Sequence, residues 1–112
     1  MRLARRTALG VLGAALMPVH AQARKLTIAA ASDLRFALDE AMRAFRAVHA
    51  DARIEVVYGS SGKLATQIRH GAPFDVFLSA DREFADALHR DGFAAGAPRL
   101  YARGHLVAWS TD

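Results

Sequence analysis

From residue 25 onward, short β-rich runs alternate with segments of helical periodicity, and this alternation restricts the fold to a parallel sheet covered by helices. Lys25 to Ala30 is the first β-rich run. Behind it, Leu34, Leu38, Ala41, Phe45 and Val48 recur at the 3.6-residue period of a helix, with Ser32 or Asp33 as its cap. Arg53 to Tyr58 reads as a second strand, and the turn Gly59-Ser60-Ser61-Gly62 leads into a shorter helix with Leu64, Ala65 and Ile68 inward. That helix is expected to stop at Gly71, with Pro73 just beyond. Asp75 to Leu78 predicts a third, buried strand, followed by a helix from about Asp81 that carries Phe84 and Leu88 and stops at Gly92. A final strand is expected over Tyr101 to Ser110, broken by Gly104. In such α/β sheets, ligands bind beyond the carboxyl ends of the strands.

Composition is informative only once the first residues are set aside, because they read as an export signal. Arg2, Arg5 and Arg6 form a basic start, Thr7 to Val19 is apolar, and Ala21-Gln22-Ala23 fits an A-x-A cleavage site, so residues 1–23 are expected to be removed. The apolar run holds two glycines and Pro18 and is too short for a permanent span. With no cysteine in the chain, a lipid anchor has no attachment point. Arg5-Arg6 resembles a twin-arginine signal, but the residues that follow favour ordinary secretion. Of the 15 Lys and Arg residues three lie in this leader, whereas all 11 acids lie after it, so the mature part is nearly neutral. No basic run or basic helix face remains, which argues against nucleic acid as a partner. Residues 24–112 make one modest domain, which buries only ~60–65% of its unfolded surface.

The chemistry concentrates in two turns, AAASDL around Ser32 and YGSSGKL around Ser60 and Ser61. Each places a hydroxyl and unpaired backbone N–H groups at the start of a helix, which is how a protein holds an anion without a cationic side chain. A plain N-cap would explain Ser32 alone. Gly59 to Lys63 is not a phosphate loop, because G-x-x-G-K is two residues short of the motif and Leu64 stands where the magnesium-binding hydroxyl belongs. Ser61 also misses the nucleophile elbow, since Lys63 replaces its second glycine. His49, His70, His89 and His105 show no i,i+4 pairing, and the first three fall near helix ends, so they read as solvated last-turn residues rather than metal ligands. Asp75 and Asp81 bracket a strand and suit turns and caps.

In order along the chain, AAASDL with FALDE, YGSSGKLATQI, GAPFDVFLSAD and LYARGHLVAWS resemble the first part of the periplasmic molybdate-binding proteins of molybdate ABC transporters. The resemblance implies an α/β parallel-sheet lobe of a type II periplasmic binding protein over residues 24–112, in which molybdate or tungstate sits between two lobes. It also implies ion contacts from Ser32 and Ser61, with Ser60 the alternative one position away, so that molybdenum is bound as molybdate through hydroxyls and no further cofactor is needed. Gly62, where some relatives carry serine, gives up one hydroxyl but permits close backbone approach. The family continues through a second lobe, so Asp112 falls near the first crossing and the chain resembles a truncated receptor. A second-lobe tyrosine usual in the family has no counterpart here, and Tyr101 is not assigned that role.

Molybdate is a tetrahedral dianion with no proton to give, so a donor-only site suits it, whereas hydrogen phosphate benefits from an acceptor carboxylate. Asp33 is therefore expected to point away from the ion, and Lys63 to be a solvated first-turn lysine. The expected function is capture of molybdate or tungstate in the periplasm by a monomer without catalytic activity, for delivery to an inner-membrane ABC permease. Receptors for sulfate, ferric ion or an organic anion are alternatives within the fold, and a small secreted serine hydrolase using Ser61 is the alternative outside it. Residues 24–112 alone are expected to bind weakly or not at all and to be marginally stable, because one wall of the cleft and the cover for apolar strand surface are missing.

Overall fold

The computed structural model describes residues 24–112 together with Gly13 and Ala15. The segment read as a signal peptide lies outside the described residues but for those two. Strand β1 (Leu26–Ala31) leads through a 3-10 turn (Ser32–Leu34) into helix α1 (Arg35–Val48). Strand β2 (Ile54–Gly59) and helix α2 (Ser61–Arg69) follow, then strand β3 (Val76–Leu78) and helix α3 (Arg82–Arg90). All three strands are parallel in the order β2-β1-β3, with Ile28 opposite both Val56 and Val76. The expected α/β class and parallel sheet are thus observed. No helix among the described residues is long and apolar enough to cross a membrane.

β1 is central because it can be buried on both faces. Its Ile28, Ala29, Ala30 and Ala31 are all buried, and the three alanines leave room for helices to approach closely. Leu64 and Ala65 of α2 and Leu88 of α3 complete the buried apolar set among the described residues. α2 packs against both β1 and α3. Gly62 takes part in that packing, since a Cβ there would lie 3.2 Å from Cζ of Phe84. At the far end of the sheet, Asp75 extends the ladder: its N–H donates to the Thr27 carbonyl at 2.9 Å, and its carboxylate accepts the Thr27 N–H at 2.8 Å.

Both helix stops lie where the glycines place them. Gly71 and Gly92 have φ of +89° and +84°, the left-handed region that side chains disfavour. In each case the next residue donates back across the turn, Ala72 to Gln67 O at 2.9 Å and Phe93 to Leu88 O at 2.8 Å. Arg69 joins the two ends by a 2.7 Å ion pair with Asp91 while its guanidinium lies over the Phe93 ring.

Four expectations need correction. The third strand, expected to be buried, lies at the sheet edge with Val76 exposed and Phe77 and Leu78 only half-buried. The final strand does not form: residues 91–112 contain no strand or helix, and Leu106, Val107 and Trp109 are exposed. β-Branched and aromatic composition favours a strand only where a neighbour takes up its backbone groups, and here none does. The α1 stripe is only partly inward, with Leu34 and Leu38 half-buried but Ala41, Phe45 and Val48 exposed. Neither Ser32 nor Asp33 caps that helix. Ala31 precedes the 3-10 turn and Leu34 precedes α1, and neither junction carries a side-chain cap.

α1 is instead held to the sheet edge by polar contacts. The Tyr58 hydroxyl donates to Asp39 Oδ1 at 2.6 Å, the Arg35 guanidinium lies 4.3 Å from the Tyr58 ring centre, and Arg46 donates to the Ile54 carbonyl at 2.7 Å. Burial, and then the Asp39 carboxylate, push the Tyr58 phenol up to about 12. Because folding favours its protonated form, this contribution is complete below the ordinary value of about 10 and is lost as pH rises through about 12. Urea midpoints measured across that window are expected to fall with pH, and Tyr58→Phe is expected to flatten the fall. An unchanged slope in the variant would contradict the assignment.

Candidate functional site

Because β1 lies between the two strands that follow it in sequence, the chain leaves it toward β2 and then crosses back to β3. The carboxyl end of β1 is therefore the switch point where an α/β sheet opens a crevice. Three turns converge there: Ala31-Ser32 after β1, Gly59-Ser60-Ser61 after β2, and Ser79-Ala80-Asp81 after β3.

The structure separates the two adjacent serines. Ser60, exposed and extended, is the N-cap of α2, and its Oγ accepts from the Lys63 N–H at 3.3 Å. Ser61 is the first helical residue, is only 7% exposed, and its Oγ accepts the Ala80 N–H at 2.9 Å. A hydroxyl that accepts from a backbone amide keeps its own proton for another acceptor, so Ser61 is set to donate. Its hydrogen bond also joins the second turn to the third across the end of β1. Ser32 stands at the end of β1, exposed, in the first residue of the 3-10 turn. The Ser32 and Ser61 turns and the backbone donors that begin α2 thus lie at the same end of the sheet. The Lys63 side chain is exposed and its backbone N–H serves the cap.

The third turn was not singled out by sequence reasoning, although GAPFDVFLSAD was noted. Ala80 carries no functional side chain, and its contribution is a backbone N–H whose direction the sequence does not display. The signal was positional: a third strand end beside β1 must face the same crevice. Within this turn the Ser79 hydroxyl donates to the Asp81 carbonyl at 2.6 Å, and the Tyr101 hydroxyl donates to the Ser79 carbonyl at 2.8 Å. Asp81 is the N-cap position of α3, without a side-chain cap bond.

Beside the third turn lies an open cleft of about 540 Å³, lined by Asp33, Ser79, Asp81, Arg82 and the segment Pro98–Gly104. Neither Ser32 nor Ser61 lines it. Asp33 lines this cleft, and burial together with the Asp33 charge raises the Tyr101 phenol above its ordinary value. Tyr101 thus remains a donor throughout the neutral range. His49 and His70 take helix-end places: His49 stacks on Phe45 after α1, and His70, at the end of α2, has Nδ1 2.8 Å from the Thr66 carbonyl. No cluster of three His, Cys, Asp or Glu side chains suited to a metal ion occurs among the described residues.

A parallel α/β lobe whose strand-end turns present hydroxyl and amide donors, with no base on the serine among the described residues, defines a ligand-capture domain. The comparisons agree with that class. The model of the bacterial extracellular solute-binding protein family matches residues 26–112, and the chain belongs to this family. The chain is 34% identical over 100 residues to the molybdate-binding protein ModA of Azotobacter vinelandii, covering 88% of this chain and 39% of that protein. Against ModA of Rhodobacter capsulatus it is 45% identical over 60 residues, covering 53% of this chain and 24% of that one. Among solved structures, a substrate-binding domain assigned to a molybdenum ABC transporter from Clostridium difficile superposes with a TM-score of 0.58 at 34% identity, over 61% of this chain and 30% of that chain. The chain therefore spans well under half the length of these relatives.

Proposed function

We propose that residues 24–112 supply the first-lobe wall of a molybdate receptor, with Ser32 and Ser61 donating to the oxyanion and Ser60 serving as the cap that shapes the turn. The observation that carries this reading is the Ser61 hydroxyl, buried, oriented by the Ala80 N–H and placed at the start of α2. The similarity to molybdate-binding relatives at this length and identity supports the choice of ion over sulfate, ferric ion or an organic anion. In this reading the protein is an exported, periplasmic, monomeric receptor that also accepts tungstate, delivers its ion to an inner-membrane ABC permease, and catalyses no reaction. A hydrolase using Ser61 is disfavoured, because among the described residues the hydrogen bond to Ser61 Oγ comes from the Ala80 amide and none joins it to a side-chain base.

Binding by this chain alone is expected to be weak. Two or three hydrogen bonds to a charged ligand provide roughly 3–9 kcal/mol, which an immobilisation cost of about 4–15 kcal/mol largely offsets. A calorimetric titration of the chain with molybdate, using sulfate as control and circular dichroism to confirm folding, tests this. Molybdate binding of about millimolar strength or weaker, with less or none for sulfate, is expected. A tight, sulfate-resistant complex would show that no second wall is needed, and preference for sulfate would overturn the choice of ion.

A further inference from the structure

The peptide unit between Ser79 and Ala80 is held at both ends. Its carbonyl accepts from the Tyr101 hydroxyl at 2.8 Å, and its N–H donates to Ser61 Oγ at 2.9 Å. A trans peptide is a rigid plane with C=O and N–H pointing in opposite directions, and no cis bond occurs among the described residues. Fixing the oxygen therefore fixes the direction of the hydrogen. A hydrogen bond accepted by the carbonyl also polarises the unit, strengthening the N–H as a donor. Ser79 restrains the same turn through its own 2.6 Å bond to the Asp81 carbonyl.

We infer that Tyr101 is a positioning residue for the oxyanion site: by holding the Ser79 carbonyl, it aims the Ala80 N–H at Ser61 and so orients the Ser61 hydroxyl toward the ion. Tyr101 touches the ion at no point in this scheme and acts only through the 79–80 peptide. This assigns a task to the segment after α3, which carries no regular structure yet reaches back to the third turn. The inference rests on the proposed receptor function for its binding readout, but its structural readout does not.

The test uses Tyr101→Phe, which removes one hydroxyl and keeps the ring, in the full chain labelled with nitrogen-15. Without any ligand, the Ala80 amide proton is expected to shift upfield and to exchange about 5- to 10-fold faster, as loss of one hydrogen bond of ordinary strength implies. Molybdate affinity is expected to fall about 3- to 10-fold, and the same substitution made on Ser61→Ala is expected to cost little more, because the two act through one path. An unchanged Ala80 amide overturns the inference whatever the ligand is. So does an affinity loss of equal size with and without Ser61. If the unaltered chain prefers sulfate to molybdate while the Ala80 amide responds as expected, the choice of ion fails and the positioning role stands.

Discussion

Ser61→Ala is expected to lower molybdate affinity by about 10- to 100-fold, the loss that follows from removing one hydrogen bond to a charged ligand worth roughly 1.5–3 kcal/mol. The substitution also affects the protein before any ion arrives. Ser61 is buried, and its Oγ is the acceptor for the Ala80 N–H. Alanine leaves that amide without a partner and adds about 1–3 kcal/mol of destabilisation. Ser60→Ala separates the two roles. Its Oγ takes the Lys63 N–H at the start of α2, so its removal is expected to cost about 1 kcal/mol of stability and to affect ion affinity less. Titrations of both variants, each with a urea denaturation, check this. Equal affinity losses for Ser60 and Ser61 would place the donor incorrectly.

Leu64→Ala is expected to be the most destabilising single substitution. Leu64 is 2% exposed, and its side chain lies where a Cβ on Gly59 would meet it at 3.3 Å, so it fills the space between the end of β2 and the first turn of α2. Truncating a leucine in such a position costs about 2–5 kcal/mol, from lost apolar transfer and the cavity left behind. The core that must absorb this loss is small, since three of its apolar members are alanines of β1. Domains have a net stability of only about 5–15 kcal/mol, and so small a core places this one at the low end, so the variant is expected to lose most of its stability. Far-ultraviolet circular dichroism against temperature reads this directly, and a loss below about 1 kcal/mol would show that Leu64 is not central to the packing.

The parts of the fold that the sequence made legible are those governed by local chemistry. Ile54, Val56 and Val57 mark a strand whatever surrounds them, and Gly71 and Gly92 stop helices because the backbone there requires positive φ. Phe45, Val48 and the run from Tyr101 to Ser110 carry the same kind of local signal, but the outcome depends on partners distant in sequence. Without a neighbouring strand, Leu106 and Trp109 remain exposed and the strand does not form. The candidate site divides in the same way. Ser32 and Ser61 were visible as hydroxyls at strand-to-helix turns, whereas the Ala80 amide was not, because every residue but proline carries an N–H and only the register of β3 beside β1 brings this one to Ser61. The difference between Ser60 and Ser61 was similarly hidden: both sit in the turn, and only the backbone makes Ser60 the exposed cap and Ser61 the buried first residue of the helix.

The central claim is that the three turns at the end of β1 form one oxyanion wall. Its most direct test is to follow the backbone amide resonances of the nitrogen-15-labelled chain during addition of molybdate and, separately, of sulfate. The account predicts progressive shifts at Ser32, Asp33, Ser61, Gly62 and Ala80 with molybdate, saturating weakly, and smaller shifts at the same amides with sulfate. Shifts confined to other parts of the chain, or these amides unmoved by molybdate in a folded sample, would contradict it.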